Sequence, residues 1–152
     1  MKRMLASLAF VVVSLSLTGP VAAASPEEEQ AFVDSYKAAF EAKDAAALEG
    51  FLHAEGAFPM ALEFYKMMMT ADFGATVTSI ELEELTPEDV AKADEVQPAP
   101  DGTSVKLSPK PYKKLVIKLA TKTAETDSTS TSSIFVAEKD GKLGIAVPAA
   151  AE

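Results

Sequence analysis

A chain of 152 residues with 48% hydrophobic side chains is long enough for one domain with a real core. It has a net charge of −9, no Cys or Trp, and one His. Those numbers exclude nucleic acid and anionic membrane as partners, which need clustered cations, and exclude disulfides and zinc sites built from thiolates or several imidazoles.

The first residues read as an address. Lys2 and Arg3 precede an apolar stretch, Met4 to Leu17, and Thr18-Gly19-Pro20 breaks it before Val21-Ala22-Ala23-Ala24-Ser25. Ala22 and Ala24 fill the small-residue positions of a signal-peptidase site, so residues 1–24 are read as a cleaved signal peptide and 25–152 as a single mature domain. The apolar stretch is shorter than the roughly 20 residues that span a bilayer. Cleavage removes two cations and no acid, which takes the net charge to −11. The expected location is the periplasm or the extracellular space, with no membrane attachment after cleavage. The remaining chain lacks Arg, and therefore the bidentate fork for carboxylates and phosphates, and it lacks Asn, the N-glycosylation acceptor.

Ser25-Pro26-Glu27-Glu28 places a capping hydroxyl, a proline at the first helical position and a glutamate at the third, which predicts a helix start. Phe32, Val33, Tyr36, Ala39 and Phe40 then recur at helical spacing as one core-facing stripe. Lys43-Asp44 breaks the run, and Asp44 can cap a shorter helix with Leu48, Phe51 and Leu52 inward. Pro59 opens a third helix, in which Glu63, Lys66 and Thr70 make one narrow polar stripe. The other positions, including Phe64, Tyr65 and Met67 to Met69, are expected to point into protein. Three consecutive methionines invite a copper site, but successive helical residues point about 100° apart and cannot converge on one ion. They read as core filling, with no metal and no cofactor.

After Gly74 the period changes to two. Thr76, Thr78, Ile80 and Leu82 alternate with Val77, Ser79, Glu81 and Glu83 in a half-buried strand. Thr86-Pro87-Glu88-Asp89 repeats the helix-start pattern for one or two turns. The acids from Glu81 to Asp89 lack the spaced loop that calcium needs, and read as a solvated face. Residues 94–111, with four prolines and Asp101-Gly102, read as a long loop. Tyr112 to Thr121 is a strand, and the Thr/Ser run from Thr121 to Ser133 divides between a polar strand end and a loop. Asp140-Gly141 is a two-residue type I′ turn that sets Lys139 opposite Lys142, Val136 opposite Ile145 and Ile134 opposite Val147.

Helices first and an antiparallel meander second give an α+β class. The opening SPEEEQAFVDSYKAAFEAKDAAALEGFLH resembles the start of the nuclear transport factor 2-like (NTF2-like) superfamily, including its small exported members. The later helix, and the sheet ending in a hairpin with a DGK turn, are similar to the rest of that fold. The resemblance implies helices packed on a strongly bent, mostly antiparallel sheet, a cone with a pocket between the layers. The superfamily holds isomerases, dehydratases, epoxide hydrolases, binding modules and assembly domains, so it implies no one activity. None of its catalytic motifs matches here, and no catalytic residue is carried over.

The side chains expected to line a pocket are Tyr36, Phe40, Phe64, Tyr65 and Met68, with His53 at its mouth. His53 is the one imidazole in the chain, yet its position beside Glu49 and Glu55 suits a helix-end histidine as well as a general base. The reading is a non-catalytic exported module that binds a small hydrophobic ligand or a partner protein. The alternatives are a pocket enzyme working by proton transfer and an envelope protein that self-associates, as a homodimer through the sheet.

Overall fold

A computed structural model describes residues 24–151. The leader read in residues 1–24 lies outside the described residues except for Ala24. The chain is a mixed α+β protein with antiparallel sheets, in which three helices precede the first strand and a short fourth helix lies between the first two strands.

Helix α1 (Pro26–Glu41) starts as its sequence dictates. The Ser25 hydroxyl accepts from the Glu28 amide, the Glu28 carboxylate accepts from the Ser25 amide, and three acids sit at the positive end of the dipole. Lys43, at φ +56°, turns the chain, and Asp44 caps α2 (Ala45–Glu49) through the Ala47 amide. Helix α3 (Pro59–Thr70) and the short α4 (Pro87–Ala93) both open on proline, and α4 has the Thr86/Asp89 capping box.

One sheet has the order β1 (Thr76–Glu84), β4 (Lys113–Lys122), β5 (Asp127–Lys139), β6 (Lys142–Ile145). Phe32, Val33, Tyr36, Ala39 and Phe40 of α1 pack against its inner face, chiefly Ile80, Leu115, Ile117, Leu119, Ile134, Val136 and Ile145. The register sets Ile80 beside Ile117, Leu115 beside Ile134 and Val136 beside Ile145. A second sheet, β2 (Gln97–Pro98), β3 (Ser104–Ser108) and β7 (Val147–Ala150), is also antiparallel.

Four details differ from the sequence reading. A register shift between Val77 and Ser79 puts Val77, opposite Leu119, on the same face as Ile80, opposite Ile117. Strict alternation had set those two on opposite faces, and the extra bulge residue is the cause. The Pro-rich stretch holds the β2–β3 hairpin, because Gly102 (φ +84°) allows the turn and Pro98 is tolerated on an edge strand. The Thr/Ser run is almost wholly strand, with only residues 123–126 between β4 and β5. At the last hairpin Asp140 (φ +53°) and Gly141 (φ +74°) form the type I′ turn, with Lys139 opposite Lys142 and Val136 opposite Ile145. However, Val147 does not face Ile134. The chain leaves the first sheet at Ala146, and Val147 pairs with Ser108 in the second.

Candidate functional site

The six side chains expected at one pocket occupy three places. Tyr36 and Phe40 are buried in the core, where the Tyr36 ring packs 5.4 Å from that of Phe51. Burial pushes the Tyr36 hydroxyl well above its usual range. Between these residues, Met68, Met69, Asp72, Ile117, Leu119, Ser132, Ser133 and Ile134 lies a cavity of about 80 Å³, with the exposed Asp72 and serines at its rim. Small-molecule pockets run to several hundred Å³, so this one suits a few waters and not an organic ligand.

His53 sits elsewhere. Its backbone amide donates to the Ile145 carbonyl at 3.0 Å and its Nε2–H to the Ala137 carbonyl at 3.0 Å, which ties the loop after α2 to the edge of β6. Gly144 lies directly beneath the imidazole: a Cβ there would stand 2.7 Å from Nε2 and 2.8 Å from the Phe51 carbonyl. The ring is a clamp between two segments, with one nitrogen committed to a carbonyl. It borders an open surface cleft with Glu55, Lys139, Asp140 and Lys142, in which Lys139 pairs with Glu55 at 2.9 Å.

Phe64, Tyr65 and the remaining methionines define the third place, and here the expected burial is overturned. Only Met69 of α3 is buried. Met60, Phe64 and Met67, at i, i+4 and i+7, are 60%, 54% and 63% exposed, and Met68 is 37% exposed. The reason is that α3 packs chiefly on α2 and β7, with Met69 reaching the core, and no other described element covers its opposite side. Beside this stripe runs a groove of about 420 Å³. Phe58, Met60, Ala61, Phe64 and Tyr65 form one wall, and Gln97, Pro98, Ala99, Pro100, Val105 and Pro148 form the other. The Phe58 amide donates to the Pro148 carbonyl at 2.8 Å and fixes the start of α3 against β7. Phe64 meets Tyr65 edge to face at 6.3 Å, and burial raises the Tyr65 hydroxyl. Sequence reasoning missed the second wall because it took residues 94–111 as a loop. The available signal was Val105 and Leu107 alternating after Asp101-Gly102.

Two half-buried ionic clusters were also missed. Glu29 accepts from the Tyr112 hydroxyl at 3.2 Å and from Lys113 Nζ at 2.7 Å, and Lys113 also reaches Glu84 at 3.2 Å. Lys114 lies 2.9 Å from Asp89 and 4.0 Å from Glu83. Burial, and then the Glu29 carboxylate, raise the Tyr112 hydroxyl, while the Lys114 hydrogen bond and that of Thr86 pull Asp89 down to about 2. Each cation here faces an acid. The clusters anchor α1 and α4 to β4. Among the described residues, no group of three or more His, Cys, Asp or Glu side chains could hold a metal ion, and no helix is long and apolar enough to cross a membrane.

No protein-family model matches the chain, and no curated protein matches it. Among solved structures the chain is similar to the helical cell shape determining protein Pgp2 from Campylobacter jejuni, at 11% identity and a TM-score of 0.40. The match covers 76% of this chain and 37% of that one, so it spans little more than a third of the other protein's length. A likeness this distant carries no argument about fold or function.

Proposed function

We propose that this chain is an exported, non-catalytic module of the NTF2-like type that holds an apolar segment of a partner protein in the groove between α3 and the β2–β3 hairpin. The observation that carries the reading is the exposed stripe Met60, Phe64 and Met67 beside that groove. Apolar side chains at helical spacing left uncovered along one face mark an interaction surface. Methionine's flexible thioether suits a surface that must adapt to what it binds. Fully burying a side chain of this kind is worth about 1.5–3 kcal/mol, and these three stand a little over half exposed, so covering them supplies roughly 3–5 of the about 8 kcal/mol of a micromolar affinity. An extended or helical segment fits better than a small molecule, because the groove is open along its length and the cavity beside Met68 and Met69 is only about 80 Å³. The net negative charge favours a segment flanked by Lys or Arg.

The test is titration with a panel of amphipathic peptides that carry an apolar core and basic flanks. Phe64→Ser should abolish binding while leaving the unfolding midpoint unchanged or higher, and His53→Ala should leave binding intact. Binding that survives Phe64→Ser, or no peptide bound by the wild type, would refute the proposal.

A further inference from the structure

The two edges of the β1-β4-β5-β6 sheet are built differently. The β1 edge carries the register shift at Val77/Ser79 and the acids Glu81, Glu83 and Glu84, devices that discourage adventitious strand pairing. At the other end, β6 pairs only with residues 136–139 of β5, and its own outer edge is occupied by the Phe51–His53 segment. Asp127 to Ser133 of β5 therefore have β4 on one side and, among the described residues, no strand on the other. The Phe135 carbonyl accepts from Ala146 on the β6 side. Antiparallel ladders alternate, so Ser133, Thr131 and Thr129 turn their N–H and C=O groups the same way, into solvent. The strip from Ser128 to Ser133 has no charge, proline, glycine or bulge, and every residue in it is exposed.

We propose that this strip pairs with the same strip of a second copy, antiparallel about a twofold at Thr131, so that the sheet runs on across a homodimer. Thr131 then faces its own counterpart and Thr129 faces Ser133, which makes about six main-chain hydrogen bonds and sets Thr and Ser side chains opposite one another, a favourable cross-strand pairing. Asp127 falls at the end of the paired strip, next to the other copy's Ala146, which already fills the place beside Phe135, and away from the second Asp127. Lys118, the neighbour of Thr131 on β4, is about three strand spacings or ~14 Å from its counterpart, beyond a Debye length at 0.1 M salt. Two chains of charge −9 repel at long range while the contact strip is neutral. Association therefore strengthens as salt rises, the reverse of an ionic interface. The groove beside α3 takes no part, so this inference and the proposed function stand or fall separately.

The experiment is analytical ultracentrifugation of the purified protein across a concentration series at low and high salt, with amide hydrogen exchange on the same samples. The mass should rise from monomer to dimer and no further, with more dimer at high salt, and the Thr129, Thr131 and Ser133 amides should gain protection with concentration. Thr131→Lys puts two cations face to face on the twofold. Thr131→Pro removes an N–H that points away from the β4 ladder. Both should remain monomeric, and Phe64→Ser should dimerise like the wild type. If Thr131→Pro fails to fold, Thr131→Lys carries the test alone. A wild type that stays monomeric at high salt, a dimer that survives Thr131→Lys, or open-ended assembly would each overturn the proposal.

Discussion

Gly144→Ala tests how the loop after α2 is locked onto the sheet. The added Cβ would stand 2.7 Å from His53 Nε2 and 2.8 Å from the Phe51 carbonyl oxygen. Relief requires the Phe51–His53 segment to move out by about half an ångström or more to regain ordinary carbon contacts. That movement strains the bonds joining the segment to β6, Ile145 N–H to the Phe51 carbonyl at 2.7 Å and His53 N–H to the Ile145 carbonyl at 3.0 Å. Overpacking plus weakening of two hydrogen bonds gives an expected loss of about 2–4 kcal/mol. His53→Ala alone loses the Ala137 contact, about 1 kcal/mol. In the double variant the backbone carbonyl of Phe51 still obstructs, so Gly144→Ala should still cost roughly 1–2 kcal/mol on the His53→Ala background. Urea unfolding with an unchanged m-value is the assay. A cost for Gly144→Ala below about 0.5 kcal/mol, the level of an ordinary surface change, would refute the close approach.

Within α3, Met69→Ala should cost about 2–5 kcal/mol in urea unfolding, whereas Met67→Ala should stay within about 0.5 kcal/mol; equal costs would mean that the helix is covered on both sides. Gly141→Val should destabilise by about 1–3 kcal/mol, because a β-branched residue resists φ +74°, while Lys142→Thr should be nearly silent. The Asp89 carboxyl is held at about 2, below its ordinary 3.8. A depressed folded value means that its contribution is complete above the ordinary value and disappears as pH falls from 3.8 through about 2. Amide shifts of α4 followed by NMR should report loosening in that window, and Asp89→Asn should remove the step; a step that persists in the variant would assign it to another group.

The elements legible in the sequence are those whose signals are local. The Ser25/Glu28 and Thr86/Asp89 boxes, the Lys43-Asp44 break and the Asp140-Gly141 turn all specify backbone within a few residues, and each stands where it was read. The α1 stripe also gives the correct buried face. What escaped depends on partners distant in sequence. Hydrophobicity shows that Met60, Phe64 and Met67 favour burial, and cannot say whether this chain supplies the cover. The switch of sheets at Ala146 is set by the pairing of Val147 with Ser108, some forty residues earlier in the chain. The ion pairs from Lys113 to Glu29 and from Lys114 to Asp89 reach across 84 and 25 residues of chain, with no motif to announce them. His53 shows the same limit, since its neighbours Glu49 and Glu55 suggested a surface site, and its hydrogen bond goes to Ala137.

The central claim is that binding occurs on the outside of α3 and not between helices and sheet. Labelling the methionine methyl groups with carbon-13 tests this most directly, because Met60 and Met67 stand on the exposed stripe while Met69 is buried beside the small cavity between helices and sheet. The protein is titrated with a basic-flanked apolar peptide and, separately, with a small apolar compound. The account predicts that the peptide shifts Met60 and Met67, leaves Met69 in place, and has its effect removed by Phe64→Ser. Saturable shifts confined to Met69, produced by the small compound and indifferent to Phe64→Ser, would contradict it.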